Sequence, residues 1–381
     1  MIERRIIETD GIDALVPAWR ELARGAARSP FETPAWLLPW LRHYGAGWRP
    51  SIVTWWRRND LVGVAPLVWR RRRMRGISVR ELEFWGRTAT PLRGWVDIVA
   101  DDAVSAVVAA DFATWLARSS ADWDLFHYLH LATDSPTLPA LTSGRRWWWR
   151  VDLSRVLYSF EYDITLPADA SGWRGHLGPK ARHEVHRQGR LFERRMSGRV
   201  EVVTDPGTAE ELVTALRSLN AERWGDRDAY FRRDPKFGQF LVDAMRSVLE
   251  AELGWVLVAR DPQGIAACLM MLALPHTAVA TLIGVTQKPE YRPLSLGKCL
   301  LHDAIDGAVA RGCRRFNFLT EGDYKKTFWR AEARPIESGF VARGAIGLAI
   351  AAAVSARRVA PERILGSMRG RQRGDNGPSP V

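Results

Sequence analysis

Apolar and polar positions follow two rhythms along this chain, and the rhythms succeed one another in the same order twice. The first 131 residues predict a strand over Arg4–Glu8, a helix around Ile12–Ala27 and a second helix opening at Phe31–Trp36. Thr33 can cap that second helix, and Pro34 suits its first position. Ser51–Trp56, the polar turn Arg57–Asp60 and Leu61–Trp69 form a hairpin pattern. Strands are expected at Ile77–Trp85, Gly94–Ala100 and Trp123–Leu131, with a helix over Val104–Ala117. Helices are expected again at Glu210–Asn220 and Pro235–Leu253, the latter amphipathic. Strands Trp255–Ala259 and Ile265–Met270 then flank the turn Asp261–Gly264. Strand Val279–Val285, helix Cys299–Ala310 and strand Arg315–Leu319 complete the series.

The two series match in order and spacing at an offset of roughly 190–200 residues, which reads as a diverged internal duplication. Gly94–Ala100 falls opposite Val279–Val285. A chain of 381 residues is long for one core. The expected fold is therefore α/β with mixed α+β sheets in two tandem domains, over residues 1–170 and 200–345. A basic helix, 171–199, joins them; an apolar helix and a basic tail, 346–381, follow. The halves differ at one point. In the second, a small-residue loop, Leu294–Lys298, opens a helix. Unpaired N–H groups and the dipole at such a helix start favour phosphate. Arg292 and Lys298 add positive charge. The first half has Asp101 and Asp102 at that point, which would repel it. One anion site, in the second half, is expected.

Ser295, Gly297, Gly312, Phe316-Asn317-Phe318, Gly322, Tyr324 and Lys325 stand in a characteristic order. This set resembles the acyl-CoA motif of the GNAT superfamily. It is most similar to the tandem proteins called BioF2-like or CelD-like, relatives of the FemAB aminoacyltransferases. The resemblance covers most of residues 1–345 and departs from the family at Asn317, where Asp is usual. It implies an N-acyltransferase using acetyl-CoA or another acyl-CoA as co-substrate, with no permanently bound cofactor. Gln287, Arg292, Ser295, Leu296, Gly297, Lys298 and Lys325 would hold the donor. Glu222, Arg223 and Trp224, in a loop, and Asn317 would hold an amine acceptor, a small molecule or a cell-envelope or secondary-metabolite precursor. Direct transfer needs proximity, an oxyanion donor, a base for the amine and an acid for the thiolate. Tyr324 suits the acid, since a phenol titrates near 10. Glu321 and Asp323 are base candidates.

Composition leaves two further readings open. A net charge of +12 also suits an aminoacyl-tRNA donor. A non-catalytic membrane- or polysaccharide-associated module is the third reading. The apolar run Gly344–Val354, followed by arginines, could lie on an anionic membrane, or pack on the domain instead. The arginine run Arg70–Arg73 suits a solvated hairpin tip. Eighteen Trp predict heavily aromatic packing. Cys268, Cys299 and Cys313 are unclustered, which points to packed thiols in a reducing compartment. No secretion signal or bilayer-length apolar run is visible, so a cytoplasmic location, peripheral to the membrane at most, is expected. His183 and His186 lack the spacing of a zinc site, and no metal is expected. No nucleophile elbow, dinucleotide fingerprint or P-loop is present.

Overall fold

The computed structural model describes residues 2–74, 76–86, 94–118, 123–143, 148–153, 160–168, 170–228, 230–319 and 327–359. The first series comprises β1 (Glu3–Ile7), α1 (Ile12–Ala26), α2 (Pro34–Tyr44), β2 (Arg49–Arg57), β3 (Asp60–Met74), β4 (Ile77–Phe84), β5 (Val99–Ala100), α3 (Ser105–Arg118) and β6 (Leu125–Ala132). After α4 (Thr137–Ser143), β7 (Trp149–Asp152) and β8 (Phe160–Thr165) come helices α5 (Ala170–His176) and α6 (Pro179–Met196). The second series is β9 (Arg199–Val203), α7 (Ala209–Trp224), α8 (Phe237–Glu250), β10 (Gly254–Asp261), β11 (Gly264–Leu274), β12 (Thr277–Val285), α9 (Leu296–Ala310) and β13 (Arg315–Asn317). Strand β14 (Glu332–Ala342) and helix α10 (Gly344–Val359) close the described chain.

Topology repeats with element order. Strands β1 to β4 pair antiparallel in sequence, and β4 then pairs parallel with β6 across the crossover through α3. Strands β9 to β12 do the same, and β12 pairs parallel with β13 across α9. The duplication is thus visible in the fold, with one change of partner. Strand β4, not Gly94–Ala100, is the counterpart of β12. Only Val99 and Ala100 of that expected strand form ladder pairs. The Asp97 carboxylate accepts from the Ile98 N–H and from the hydroxyls of Ser135 and Thr137. These local bonds replace a strand ladder.

The two sheets meet on β14. Its first residues, Glu332–Pro335, pair with β8, while Ile336–Ala342 pair with β6. Strand β8 in turn pairs with β13. So β8, which precedes the joining helix, completes the second sheet, and β14, which follows the second series, completes the first. The joined sheet carries fourteen strands. Its largest core is continuous across the halves. Helix α2 packs on α8, with the Trp36 and Phe240 rings edge to face at 5.3 Å. Helix α8 forms because Phe237, Phe240, Leu241, Ala244, Met245 and Val248 recur at helical spacing and bury one face. Thr33 sits at the N-cap of α2 as expected, but its hydroxyl donates to the Pro30 carbonyl instead of capping the helix.

A second core, on the opposite face of the second sheet, gathers Trp173, Leu300, Phe316, Phe318 and Trp329 beneath α9. The aromatic packing expected from composition is realised, and among the described residues nine Trp side chains are fully buried. All three cysteines are buried free thiols, and burial pushes each thiol upward in pKa. The Arg70–Arg73 run is not confined to a hairpin tip. It lies within β3, where Arg70 and Arg72 pair with buried Glu81. Helix α10 rests on β7 and β14 through Ala351 and flanking aliphatic side chains. No described helix is long and apolar enough to cross a membrane.

Gly339 lies where β14 meets both β6 and β7. A Cβ there would run into the Val151 carbonyl oxygen and the Tyr128 ring. Gly339→Ala is therefore expected to lose about 1–3 kcal/mol. Urea denaturation checks this, and an unchanged midpoint would refute the crowding.

Candidate functional site

Strands β12 and β13 run parallel for only three pairs, Thr277 with Arg315, Ala278 with Phe316 and Val279 with Asn317. Beyond these the strands part. The Phe318 N–H donates to the Tyr162 carbonyl, and the Leu319 carbonyl accepts from the Tyr162 N–H, so the chain follows β8 instead. Residues 280–285 of β12 are left without a β13 partner. Asn317 fixes this parting. Its side-chain oxygen accepts from the Leu319 N–H at 2.7 Å, and its amide nitrogen donates to Asp163 Oδ1. Leu319 adopts a left-handed φ of 64° there. The departure from the expected Asp now has a cause. A carboxylate at 317 would repel Asp163, whereas an amide supplies both the acceptor and the donor.

Helix α9 starts beside the open edge of β12. Its N-cap, Ser295, is left-handed (φ 45°, ψ 48°) and makes no side-chain cap. The Lys298 N–H returns to the Ser295 carbonyl at 2.8 Å. Leu296 and Gly297, the first two residues of the helix, have no intrahelical acceptor for theirs. A Cβ on Gly297 would meet only Val285 and Ile283, at 3.5 and 3.6 Å, which is ordinary contact. Packing inside the protein does not demand glycine here.

The other expected donor contacts are spread around this turn. Arg292 is exposed. Lys298 Nζ is 2.6 Å from Glu184 of α6 and lies over the Phe328 ring at 4.4 Å. Gln287 donates its side-chain N–H to the Val285 carbonyl at 2.9 Å. Helix α6 packs along α9 and presents exposed Lys180, Arg187, Arg190, Arg194 and Arg195. The acceptor group needs a correction. Glu222, Arg223 and Trp224 form the last turn of α7, not a loop. The Glu222 carboxylate accepts from the Thr286 hydroxyl at 2.7 Å and the Gln287 N–H at 3.0 Å, tying α7 to the turn after β12. Arg223 stacks on Trp224 at 4.8 Å. Glu321, Asp323, Tyr324 and Lys325 lie outside the described residues.

Sequence reasoning missed a buried polar cluster where β8, β13 and β14 adjoin. Glu161, Asp163, Asn317 and Arg315 share the sheet face turned away from α9. Arg334 bridges Asp163 (3.3 Å) and Asp134 (3.1 Å), while Arg315 lies 3.7 Å from Asp163 and donates to the Arg28 carbonyl. Asp134 also faces Arg28 at 3.8 Å. Glu161 is 5% exposed, and its Oε2 has no hydrogen-bond partner. Burial, and then the charge of Asp163, push its carboxyl up to about 7. Burial raises Asp163 too, against the pull of Arg315 and Arg334. The available signal was the alternation of two acids with Tyr162 and Ile164. His302, Asp303 and Asp306 also adjoin on α9, but Asp306 accepts from Trp173 Nε1 and His302 is packed against the His186 ring.

Residues 179–326 match the family model described as "Acetyltransferase (GNAT) domain". No curated protein sequence matches the chain significantly. FemX aligns with a TM-score of 0.60 at 10% identity, over 88% of this chain and 96% of its own. A conserved protein of unknown function from Bacteroides thetaiotaomicron VPI-5482 aligns with a TM-score of 0.52 at 10% identity, over 90% and 100%. A tandem GNAT protein from the clavulanic acid biosynthesis pathway aligns more loosely, with a TM-score of 0.43 at 10% identity, over 89% and 98%. These likenesses are of fold. Helix start, parted strands and family match together define a GNAT acyltransferase domain. That domain lies in the second half of the chain, over residues 179–326.

Glu32, like Glu161, is buried, and burial followed by the charge of Asp97 raises it to about 8. A raised carboxyl binds its proton more tightly folded than unfolded. Such groups therefore stabilise the fold least once pH passes from the ordinary carboxylate range to above about 8. The melting temperature is expected to be lower at about pH 8.5 than at about pH 6, as read by scanning calorimetry. An equal or higher value at the upper pH would refute the assignment.

Proposed function

We propose that the protein moves an acyl group from acyl-CoA, such as acetyl-CoA, to a primary amine of a small molecule or biosynthetic precursor. The observation that carries this is Gly297. It stands at the bare start of α9, against the open edge of β12, and no neighbour in the protein requires it to be glycine. A phosphate approaching the Leu296 and Gly297 N–H groups does require a small residue there. Arg292 and the basic face of α6 add favourable field. Lys298 is held by Glu184 in a half-exposed pair, an interaction weak enough for a phosphate to compete for it. The acyl chain would then run along residues 280–285 towards the parting of the strands. Glu222, Arg223 and Trp224 shape the acceptor side through the turn after β12. We assign the donor site to residues 200–345 completed by β8, and none to the first half.

The expected outcome is that Gly297→Asp abolishes acetyl-CoA binding in calorimetry while circular dichroism and melting stay near wild type. Gly297→Ala should weaken binding far less. Equal affinity in the Asp variant would sink the site. The basic face of α6 also favours a second donor, aminoacyl-tRNA. That reading requires a tRNA affinity falling steeply with salt, alongside no affinity for acetyl-CoA.

Tyr324 is the proposed proton donor to the leaving thiolate, with Glu321 and Asp323 near it in sequence. If the phenol protonates the thiolate, Tyr324→Phe should slow single-turnover transfer by roughly a hundredfold with little change in acyl-CoA affinity. Full turnover in that variant would remove Tyr324 from the site.

A further inference from the structure

We propose that Glu161, on strand β8, is the base that takes the proton from the incoming amine. The inference rests on the acyl-CoA reading above and adds the residue that activates the acceptor.

Geometry comes first. Antiparallel pairing sets Asp163 opposite Asn317, so Glu161 lies two residues further on, beside Leu319, where β13 has left β12. Among the described residues, the sheet opens beside the start of α9 where β12 and β13 part. Phe316, Phe318 and Ile164 point into the core beneath α9. Alternation puts Asn317, Asp163 and Glu161 on the other face, from which an acceptor must come.

The charges around the site distinguish Glu161 from its neighbours. On β8, Asp163 has both oxygens engaged, by Asn317 and Arg334. On β14, Arg334 is shared between Asp163 and Asp134, and Glu332 is exposed. On β13, Arg315 pairs with Asp163, with half-buried His276 at its other side. From the α1–α2 connection, Arg28 faces Asp134. The arginines' ion pairs are thus made with Asp163 and Asp134, and Glu161 Oε2 stays bare. Leaving a buried carboxyl oxygen unbonded costs stability and serves no packing purpose. Asn317, Arg315 and Arg334 favour the ionised form of Glu161, and its Oε2 is left unbonded to take a proton.

An alkylammonium gives one proton to Glu161 Oε2. The neutral amine attacks the thioester carbonyl carbon, forming C–N and breaking C–S. The amine's second proton replaces the one that Tyr324, in the reading above, gives to the departing CoA thiolate, and Glu161 releases its own proton to water.

Glu161→Gln keeps the shape and removes the base. Acetyl-CoA binding is measured first, by calorimetry, for wild type and variant. A wild type that binds no acetyl-CoA overturns the donor reading and this inference with it. With binding intact, thiol release at saturating acetyl-CoA is followed from about pH 5.5 to 9 with ethylamine and with hydroxylamine, which is already unprotonated at neutral pH. The base role predicts that the ethylamine reaction falls at least about a hundredfold in the variant. It also predicts that the acid limb of the rate profile flattens, that the hydroxylamine reaction falls far less, and that the melting temperature at about pH 8 equals or exceeds that of wild type. An unchanged ethylamine rate, an equal fall with both amines, a melting temperature lower by several degrees, or a wild type that binds acetyl-CoA yet shows no amine-dependent release each overturns the proposal.

Discussion

Strand β14 hydrogen-bonds to two sheets along its length, and the arrangement of both halves depends on that split. Each repeat ends in a short parallel pair, β4 with β6 or β12 with β13, whose outer strand would leave a row of unpaired backbone groups. Such an edge is costly inside a protein and prone to aggregate outside one. The chain closes both edges by exchange. Strand β8 crosses to β13 and β14 returns to β6. A β14 that served only one sheet would leave the other open. The halves therefore fold against each other, and the core between α2 and α8 is continuous for the same reason.

The exchange also accounts for the chemistry at the centre. Two strands brought in from outside the repeat carry their own side chains to the place where β12 and β13 part. Asp163 and Glu161 arrive on β8, and Arg334 arrives on β14. Arg28 and Asp134 reach the same seam from the first half. A single GNAT repeat could not hold these groups.

This seam marks the limit of what the sequence disclosed. Elements with a strong period were legible: the α8 stripe, the β2–β3 hairpin, and the order of β12, α9 and β13. The glycine turn before α9 was legible too, because its chemistry is local. Strand β8 was not, although Phe160, Tyr162 and Ile164 alternate with Glu161, Asp163 and Thr165, because it is only six residues long and its partners lie 150 or more positions away in the chain. Asn317 looked like a defect in a motif until Asp163 stood across from it. The end of α7 was read as a loop because Glu222 and Arg223 are polar, yet their polarity marks a helix end tied to the turn after β12. In each case local propensity was overruled by a partner distant in sequence.

Burying this many ionisable groups at a junction is worthwhile only where compensation is nearly complete, because an unmatched charge in a dry interior outweighs most packing gains. Asp163 meets that condition through Arg334 and Arg315, with exposed Asp134 and Arg28 at the rim, and Asn317 removes what would otherwise be a third carboxylate against Asp163. At Glu161 the compensation is partial: Asn317, Arg315 and Arg334 act on the carboxylate, but its Oε2 has no hydrogen-bond partner. Structural clusters have no reason to leave that residue bare, since a Gln or an aliphatic side chain would fit β8 at lower cost. Sites that must exchange a proton near neutral pH do have a reason, and local rules broken at one residue inside an otherwise satisfied network are where function is usually found. The same residue that weakens the seam stands beside the parting of β12 and β13, where the proposed transfer would take place.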